Sequence, residues 1–344
     1  MTPEMSRILV VLPNWFGETL FTTPFLRSLR MQQPGAFIAA LGRSACREVL
    51  AHSPLIDEMI ECDEHGAHRG PTGAWRLARA LKRQRFDTVF VLRRSLTRTL
   101  IMRLAGIPRR IGWSGKGQWL LTHRVPPASL PRHKALSYLP LLEVMGLSGE
   151  ARRYEYTVTE EERQAARAWL QARGLADGRP LVVLHPGANW PHKRWAPERF
   201  AELGDRIAAA HPVQMAITGG PGDVALANAV RQRMRQPALV VAGQTTVRQL
   251  AACLECARLF VSNDTGVLHL AAALGRPLVA LYGPTSPALT GPLGLPDRTV
   301  ILHHADCCPK IPCVKPAGPP HAGMNAIPVD EAYAAASNLL ERAA

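Results

Sequence analysis

No long apolar run occurs in this 344-residue chain: Arg276 interrupts the longest, so nothing reaches the roughly 20 residues a membrane-spanning helix needs. The apolar stretch at 8–12 is too short for a signal-peptide core and is closed by Pro13, so export is not expected. Cysteines number only seven, and without an export signal they are expected as reduced thiols, not a disulfide framework. Acid is nearly missing from 69–134, where 13 Arg and 3 Lys stand against Asp87 alone, a net +15 beside +14 for the whole chain. No zinc finger, RNA-binding aromatic signature or helix-turn-helix pattern accompanies that charge, so nucleic acid is not expected as a partner. The remaining partners for such a segment are anionic lipid and phosphorylated substrates. The alternative is a merely solvated arginine-rich surface.

What is present suits a globular protein of about two domains, since 47% of residues are hydrophobic and 20% charged. Strand-like and helix-like segments alternate almost throughout, which favours α/β architecture with parallel sheets. The first half carries strands at 8–12, 37–41 and 88–92 and helices at 19–30, 74–83 and 96–105. Leu20, Phe21, Phe25 and Leu29 lie along one side of the first helix. A charged helix at 160–173 precedes six more strands, at 181–184, 213–218, 239–242, 259–262, 278–282 and 299–302. Residues 303–320 read as irregular, and 329–342 as a final helix. The expected division is 1–158, a linker helix region 159–180, a second domain 181–328, and a terminal helix 329–344 with a return onto the first domain as one option.

Chemistry concentrates at strand ends. The last strand-to-helix turn of interest, Asn263-Asp264-Thr265-Gly266, opens a small-residue helix containing His269. Helix N-termini carry unpaired N–H groups and the positive end of the dipole, so this turn suits an anion. An Asp there needs another task, such as holding the turn or a sugar hydroxyl. His185-Pro186-Gly187-Ala188-Asn189-Trp190-Pro191-His192-Lys193-Arg194-Trp195 gives a glycine loop followed by two cations, suited to phosphate. Gly219-Gly220-Pro221-Gly222-Asp223 places an acid at another strand end, either for ribose hydroxyls or as a helix N-cap. Gly243-Gln244-Thr245-Thr246 adds hydroxyl and backbone donors. In the first half, Pro13-Asn14-Trp15-Phe16-Gly17-Glu18 holds one glycine where a dinucleotide fingerprint needs three. Glu18 either complements the helix dipole or serves as a general base.

Two cysteine patterns point away from redox or metal chemistry. Cys253 and Cys256 lie in a helical pattern with Leu250 and Leu254, as packing thiols. Cys307, Cys308 and Cys313, with His303, His304 and His321, offer zinc-ligand types, but their spacing lacks the paired C-x-x-C of a structural site, so a bound metal is the lesser alternative.

Taken together, the motifs resemble glycosyltransferase family 9, the ADP-heptose:lipopolysaccharide heptosyltransferases. Pro13-Asn14-Trp15-Phe16-Gly17-Glu18 is similar to the family's P-N-W-x-G-D opening, most typical of its heptosyltransferase II branch. Pro186-Gly187-Ala188…Lys193-Arg194-Trp195 matches P-G-A…K-R-W, and Asp264-Thr265-Gly266…His269 matches D-T-G-x-x-H. The resemblance implies an α/β GT-B fold: two Rossmann-like domains with parallel sheets facing a central cleft. It implies inverting, metal-independent transfer of heptose from ADP-heptose to the lipopolysaccharide inner core, with no cofactor. Glu18 and Lys193 would be catalytic, as base and as countercharge to the leaving diphosphate. Gly17, Lys193, Asp223, Gly243, Asp264, Thr265, Gly266 and His269 would bind the donor. Asn14, Trp15, Arg93 and Arg94 would meet the phosphorylated core or lipid A acceptor. The protein would be cytoplasmic, in peripheral contact with the anionic inner membrane.

Two departures from the family pattern stand out. Glu18 occupies a position usually held by Asp, which moves the carboxylate by one methylene. Gly323 precedes Met324 where the heptosyltransferase II tail carries Cys. The rival readings are a family member with another nucleotide sugar or acceptor, and a non-catalytic sugar-nucleotide or lipopolysaccharide-binding protein. A dinucleotide oxidoreductase is more distant.

Overall fold

The computed structural model describes residues 5–126, 132–176, 178–307, 313 and 321–342. They form two compact units, Met1–Thr157 and Val158–Ala344. The first holds strands β1 (Arg7–Val11), β2 (Phe37–Gly42), β3 (Glu58–Glu61), β4 (Thr88–Val91), β5 (Arg109–Trp113) and β6 (His123–Val125). They pair in the order β3-β2-β1-β4-β5-β6, every pairing parallel. The second unit holds β7 (Leu181–His185), β8 (Gln214–Ile217), β9 (Leu239–Val240), β10 (Ala257–Asn263), β11 (Leu278–Tyr282) and β12 (Thr299–His303). Their order, β12-β11-β10-β7-β8-β9, is again wholly parallel.

The two orders are the same walk. Each chain half starts at the centre, steps twice to one edge, then returns to lay its fourth strand on the other side of its first. The reversal falls between β1 and β4, and between β7 and β10. In open parallel sheets the crevice outside the carboxyl ends of such a pair receives ligands. Central strands buried on both faces explain the continuous apolar sequences Ile8 to Leu12 and Leu181 to Leu184, all within 5% of full burial.

Three strands escaped the sequence pattern. β3 reads Glu-Met-Ile-Glu at a half-exposed edge, β5 opens on Arg109 and Arg110, and β6 has three residues. The helix expected at 19–30 is two, Phe16–Leu20 and Thr23–Gln32. Pro24 has no N–H to continue the ladder to Leu20, and Thr23 donates its hydroxyl to that carbonyl instead (2.7 Å).

The region expected to link the units belongs to the second. Its helix Glu160–Gln171 starts with a capping box between Thr159 and Glu162 and packs on helix Val247–Glu255. Arg163 pairs with Glu255 at 2.6 Å and Arg248 with Glu162 at 2.5 Å, fixing the contact. The terminal helix Val329–Arg342 is part of the second unit. It buries Ala332, Ala336, Leu339 and Leu340 in the second unit's core, against helix Pro197–Ala210 and strands β10 and β11.

That helix should therefore behave as core. Leu339→Ala, at a site only 3% exposed, is expected to lower unfolding free energy by about 2–5 kcal/mol in urea titrations. A loss well under 1 kcal/mol would mean the helix is not docked.

Candidate active site

In the second unit the loops after β7 and β10 are joined by Asn263, which is fully buried. Its carboxamide donates to the Pro186 carbonyl (2.8 Å) and accepts from the Trp195 backbone N–H (3.1 Å). Trp195, 1% exposed, in turn donates its indole N–H to the Ile327 carbonyl (3.1 Å). The glycine loop is thus pinned at both ends, and Lys193 lies within the pinned segment.

Lys193 Nζ meets Asp264 Oδ2 at 2.6 Å. The same oxygen accepts the Thr285 hydroxyl (2.7 Å), and His269 Nε2 lies 3.8 Å from Oδ1. Burial opposes charge on Asp264. Electrostatic attraction to Lys193, with a smaller effect of His269, and the hydrogen bonds from Lys193 and Thr285 outweigh it, holding the carboxyl below its ordinary range. The Asp264 side chain therefore holds the turn, one of the two tasks the sequence left open. Thr265 caps helix Gly266–Ala273 by accepting from the Leu268 N–H (3.2 Å). The helix start thus follows an aspartate paired with the half-buried Lys193, and a helix N-terminus with a cation close by favours negative charge.

The neighbouring loop is tied into the same region. Arg194 reaches Asp223 at 3.2 Å and the Ala188 carbonyl at 3.1 Å. Asp223 also accepts the Gly220 N–H (3.1 Å) and makes no side-chain cap to helix Val224–Arg233, so the N-cap alternative is set aside. Gly187 lets the loop pass close to Asp223: a Cβ there would sit 2.4 Å from its carboxylate, which would have to shift. Gly243, with φ +73°, donates to the Gly219 carbonyl (2.9 Å) and brings the fourth loop alongside the third.

The first unit repeats the device with a different side chain. Arg98, 1% exposed, comes from helix Leu96–Leu104 and donates to the Leu12 carbonyl (2.7 Å), Asn14 Oδ1 (2.8 Å) and Glu64 Oε1 (3.1 Å). It fixes the loop after β1 from the β4 side. Gly17 and Glu18 follow in helix Phe16–Leu20, where Glu18 Oε1 meets Lys134 Nζ at 2.6 Å. Trp15 projects into solvent, 67% exposed. Arg93 and Arg94 line a cavity of about 300 Å³ with Ser95, Trp113 and Lys116, at the carboxyl ends of β4 and β5. Its lining includes neither Asn14 nor Glu18.

Arg98, Asn263, Thr285 and Lys134 were missed as site residues. Asn263 opens the Asn263-Asp264-Thr265-Gly266 turn, and Arg98 and Lys134 look in sequence like any other cation of the basic segment. Among the described residues no three His, Cys, Asp or Glu side chains gather to hold a metal. Cys308 and the Cys307 side chain lie outside the described residues. Cys253 is buried and its thiol is pushed up to about 12 by that burial, so it is an unreactive packing group.

Comparison with solved structures defines the class. A glycosyl transferase family 9 structure from Veillonella parvula DSM 2008 superposes with TM-score 0.88 at 26% identity, covering 99% of both chains. The structure of E. coli ADP-heptose lps heptosyltransferase II gives 0.81 at 26% identity, covering 98% of this chain and 99% of that one. The fold is therefore that of a GT-B glycosyltransferase, with two Rossmann-like units. The family profile described as glycosyltransferase family 9 (heptosyltransferase) matches residues 74–319. Lipopolysaccharide heptosyltransferase 2 of Escherichia coli K12 is 30% identical over 312 residues, 86% of this chain and 88% of that protein. The chain belongs to glycosyltransferase family 9.

A pH signature follows from the site's core. His185 ends β7, fully enclosed, with Nδ1 3.0 Å from the Thr218 hydroxyl. Burial pushes it from 6.5 down to about 4, against a smaller upward pull from Asp223. The unfolded chain takes up a proton below 6.5 while the fold does not, so this contribution is complete above 6.5 and lost as pH falls toward 4. The change amounts to about 3 kcal/mol. His303 and His321 shift the same way, so the difference between wild type and His185→Gln isolates the effect. The variant should flatten the stability curve in that window; an unchanged slope would show that His185 is protonated in the fold.

Proposed function

We propose that this protein transfers heptose from ADP-heptose to the lipopolysaccharide inner core, with inversion and without a metal. The observation that carries the reading is Lys193 held against buried Asp264 at the start of helix Gly266–Ala273. A departing ADP develops charge on its diphosphate, and preorganised donors act most strongly where charge develops. Lys193 has three protons; Asp264 takes one direction and fixes the ammonium, leaving others for phosphate. The backbone N–H groups of Thr265 and Gly266 add the positive helix end. Asp223 and Gly243 line the ribose side of the donor, with Gly17 and His269 as further donor contacts.

On the acceptor side, Glu18 takes the proton of the attacking hydroxyl. That oxygen forms its bond to C1 of the heptose as the C1–O bond to phosphate breaks, so the anomeric centre inverts. Lys134 holds Oε1, and Oε2 is assigned to the hydroxyl. Asn14, Trp15, Arg93 and Arg94 receive the phosphorylated acceptor. The countercharge a metal would supply comes from Lys193 and the helix amides. The E. coli relatives, a lipopolysaccharide heptosyltransferase 2 and an ADP-heptose lps heptosyltransferase II, support both substrates. Among the described residues no helix is long and apolar enough to cross a membrane. The reading puts the enzyme at the cytoplasmic face of the inner membrane, held peripherally.

Release of ADP from ADP-heptose with defined core acceptors is the direct test. Glu18→Gln is expected to lower kcat by about 10²–10⁴ with donor KM near wild type. Lys193→Met should cost about 10²–10³ in kcat. Full turnover in Glu18→Gln would move the base elsewhere, and no ADP release from wild type with any heptose donor would overturn the reading.

A further inference from the structure

Helix Leu96–Leu104 leaves three leucines in solvent: Leu96, Leu100 and Leu104 are 38%, 41% and 52% exposed. Their i, i+4, i+8 spacing puts them on one face, and Arg103 shares it. The opposite face is spent on the core through Arg98, Thr99, Ile101 and Met102. Single exposed leucines are ordinary, but an ordered stripe is not.

Its surroundings extend the pattern. The turn Gln118–Leu120 packs on this helix and carries Trp119, 71% exposed. Gly117 approaches so closely that a Cβ there would lie 2.6 Å from Leu96 Cδ1, so turn and stripe are one surface. On another flank, helix Gly70–Arg83 packs on the same helix and exposes Trp75 with Arg76, Arg79, Lys82 and Arg83. The Arg79 guanidinium lies 5.4 Å from the Trp75 ring centroid. Asp87, the one acid within 69–134, is occupied by Ser6, Arg7, Thr88 and Arg109. Apolar stripe, interfacial tryptophans and unopposed arginines thus occur together.

We propose that this face docks the first unit on an anionic phospholipid bilayer. Leu96, Leu100, Leu104 and Trp119 enter the boundary between headgroups and acyl chains, and Arg76, Arg79, Arg83 and Arg103 meet lipid phosphates. A second copy of this chain is a poorer occupant, because two such strongly positive segments repel. Leu96 also lines the cavity holding Arg93, Arg94 and Lys116, so the stripe begins at the mouth of that cavity. An acceptor can then keep its acyl chains in the bilayer while its phosphorylated sugar reaches the cations. This last step rests on the acceptor reading above; the docking itself does not.

The test is flotation of the full chain with phosphatidylcholine vesicles, with and without phosphatidylglycerol. Wild type is expected to float only with the anionic vesicles, less so at high salt. Leu100→Glu with Leu104→Glu should cut partitioning about tenfold or more. Arg76→Glu with Arg79→Glu should do the same, each basic residue near an anionic surface being worth about fivefold. Both pairs should keep the wild-type Tm and ADP release with a short, water-soluble acceptor. Should the glutamates lower Tm, Leu100→Asn with Leu104→Asn gives the same comparison. Equal flotation of wild type and both variants, equal binding to neutral vesicles, or a leucine variant that only dissociates a dimer would each overturn the proposal. Vesicle binding without any ADP release would instead count against the enzyme reading alone.

Discussion

The second unit depends on the carboxamide of Asn263. It sits where the strand order reverses, and it must give a hydrogen to one loop and receive one from the other. An amide carries donor and acceptor on separate atoms of one short stem and so reaches both loops; Asp would leave the Pro186 carbonyl without a donor in a site closed to water. Through Trp195 the same contact reaches the Ile327 carbonyl, which also accepts from Arg199 at 2.7 Å. Lys193 lies two residues before Trp195, and Asp264 one after Asn263. Their 2.6 Å pairing is therefore a consequence of the staple as much as of their mutual attraction.

The first unit meets the same topological problem with a charge. Arg98, from the helix after β4, holds the loop after β1 by bonding the Leu12 carbonyl and Asn14. Strands one and four of each sheet are thus cross-linked at their carboxyl ends, by an arginine in one case and an asparagine in the other. Buried cations are weak sources of stability, since desolvation consumes most of the attraction. Their value here lies in position. Arg98 fixes the turn that starts the Glu18 helix, and Lys193 is held against Asp264 at a helix start. Both arrangements hold their polar groups by several hydrogen bonds, the kind of preorganisation that transition-state stabilisation requires.

These cross-links mark the limit of what could be read from the chain. Central strands were legible because burial on both faces forces continuous apolar runs, and helix 329–342 because its apolar period is regular. The strand-end loops were legible because glycine, hydroxyl and charge collect there. Edge strand β3 and the inner strand β5 were not, since each contains charges that serve the sheet edge or local carbonyls, as Arg110 does toward Ile107 and Leu120. Thr285 and Arg98 could not be found by pattern. One lies 21 residues from Asp264, and the other 84 from Asn14, inside a segment crowded with arginines. Which arginine of such a segment turns inward is decided by tertiary packing.

The substitution of Glu18 for the family's Asp has a physical counterpart in this site. A longer side chain is less precisely placed by its backbone, and a carboxylate displaced by about one bond loses rate steeply. Here Lys134 meets that carboxylate at 2.6 Å, and the pair is about one-third exposed, so the contact adds little to stability. What it adds is a second point of attachment, which recovers for Glu the definition a shorter Asp has intrinsically. Tyr138 stands close by; burial, with a smaller contribution from the Glu18 charge, pushes its phenol up, so it remains protonated. Lys134 thus takes up the extra reach of Glu18, with the packed Tyr138 phenol nearby.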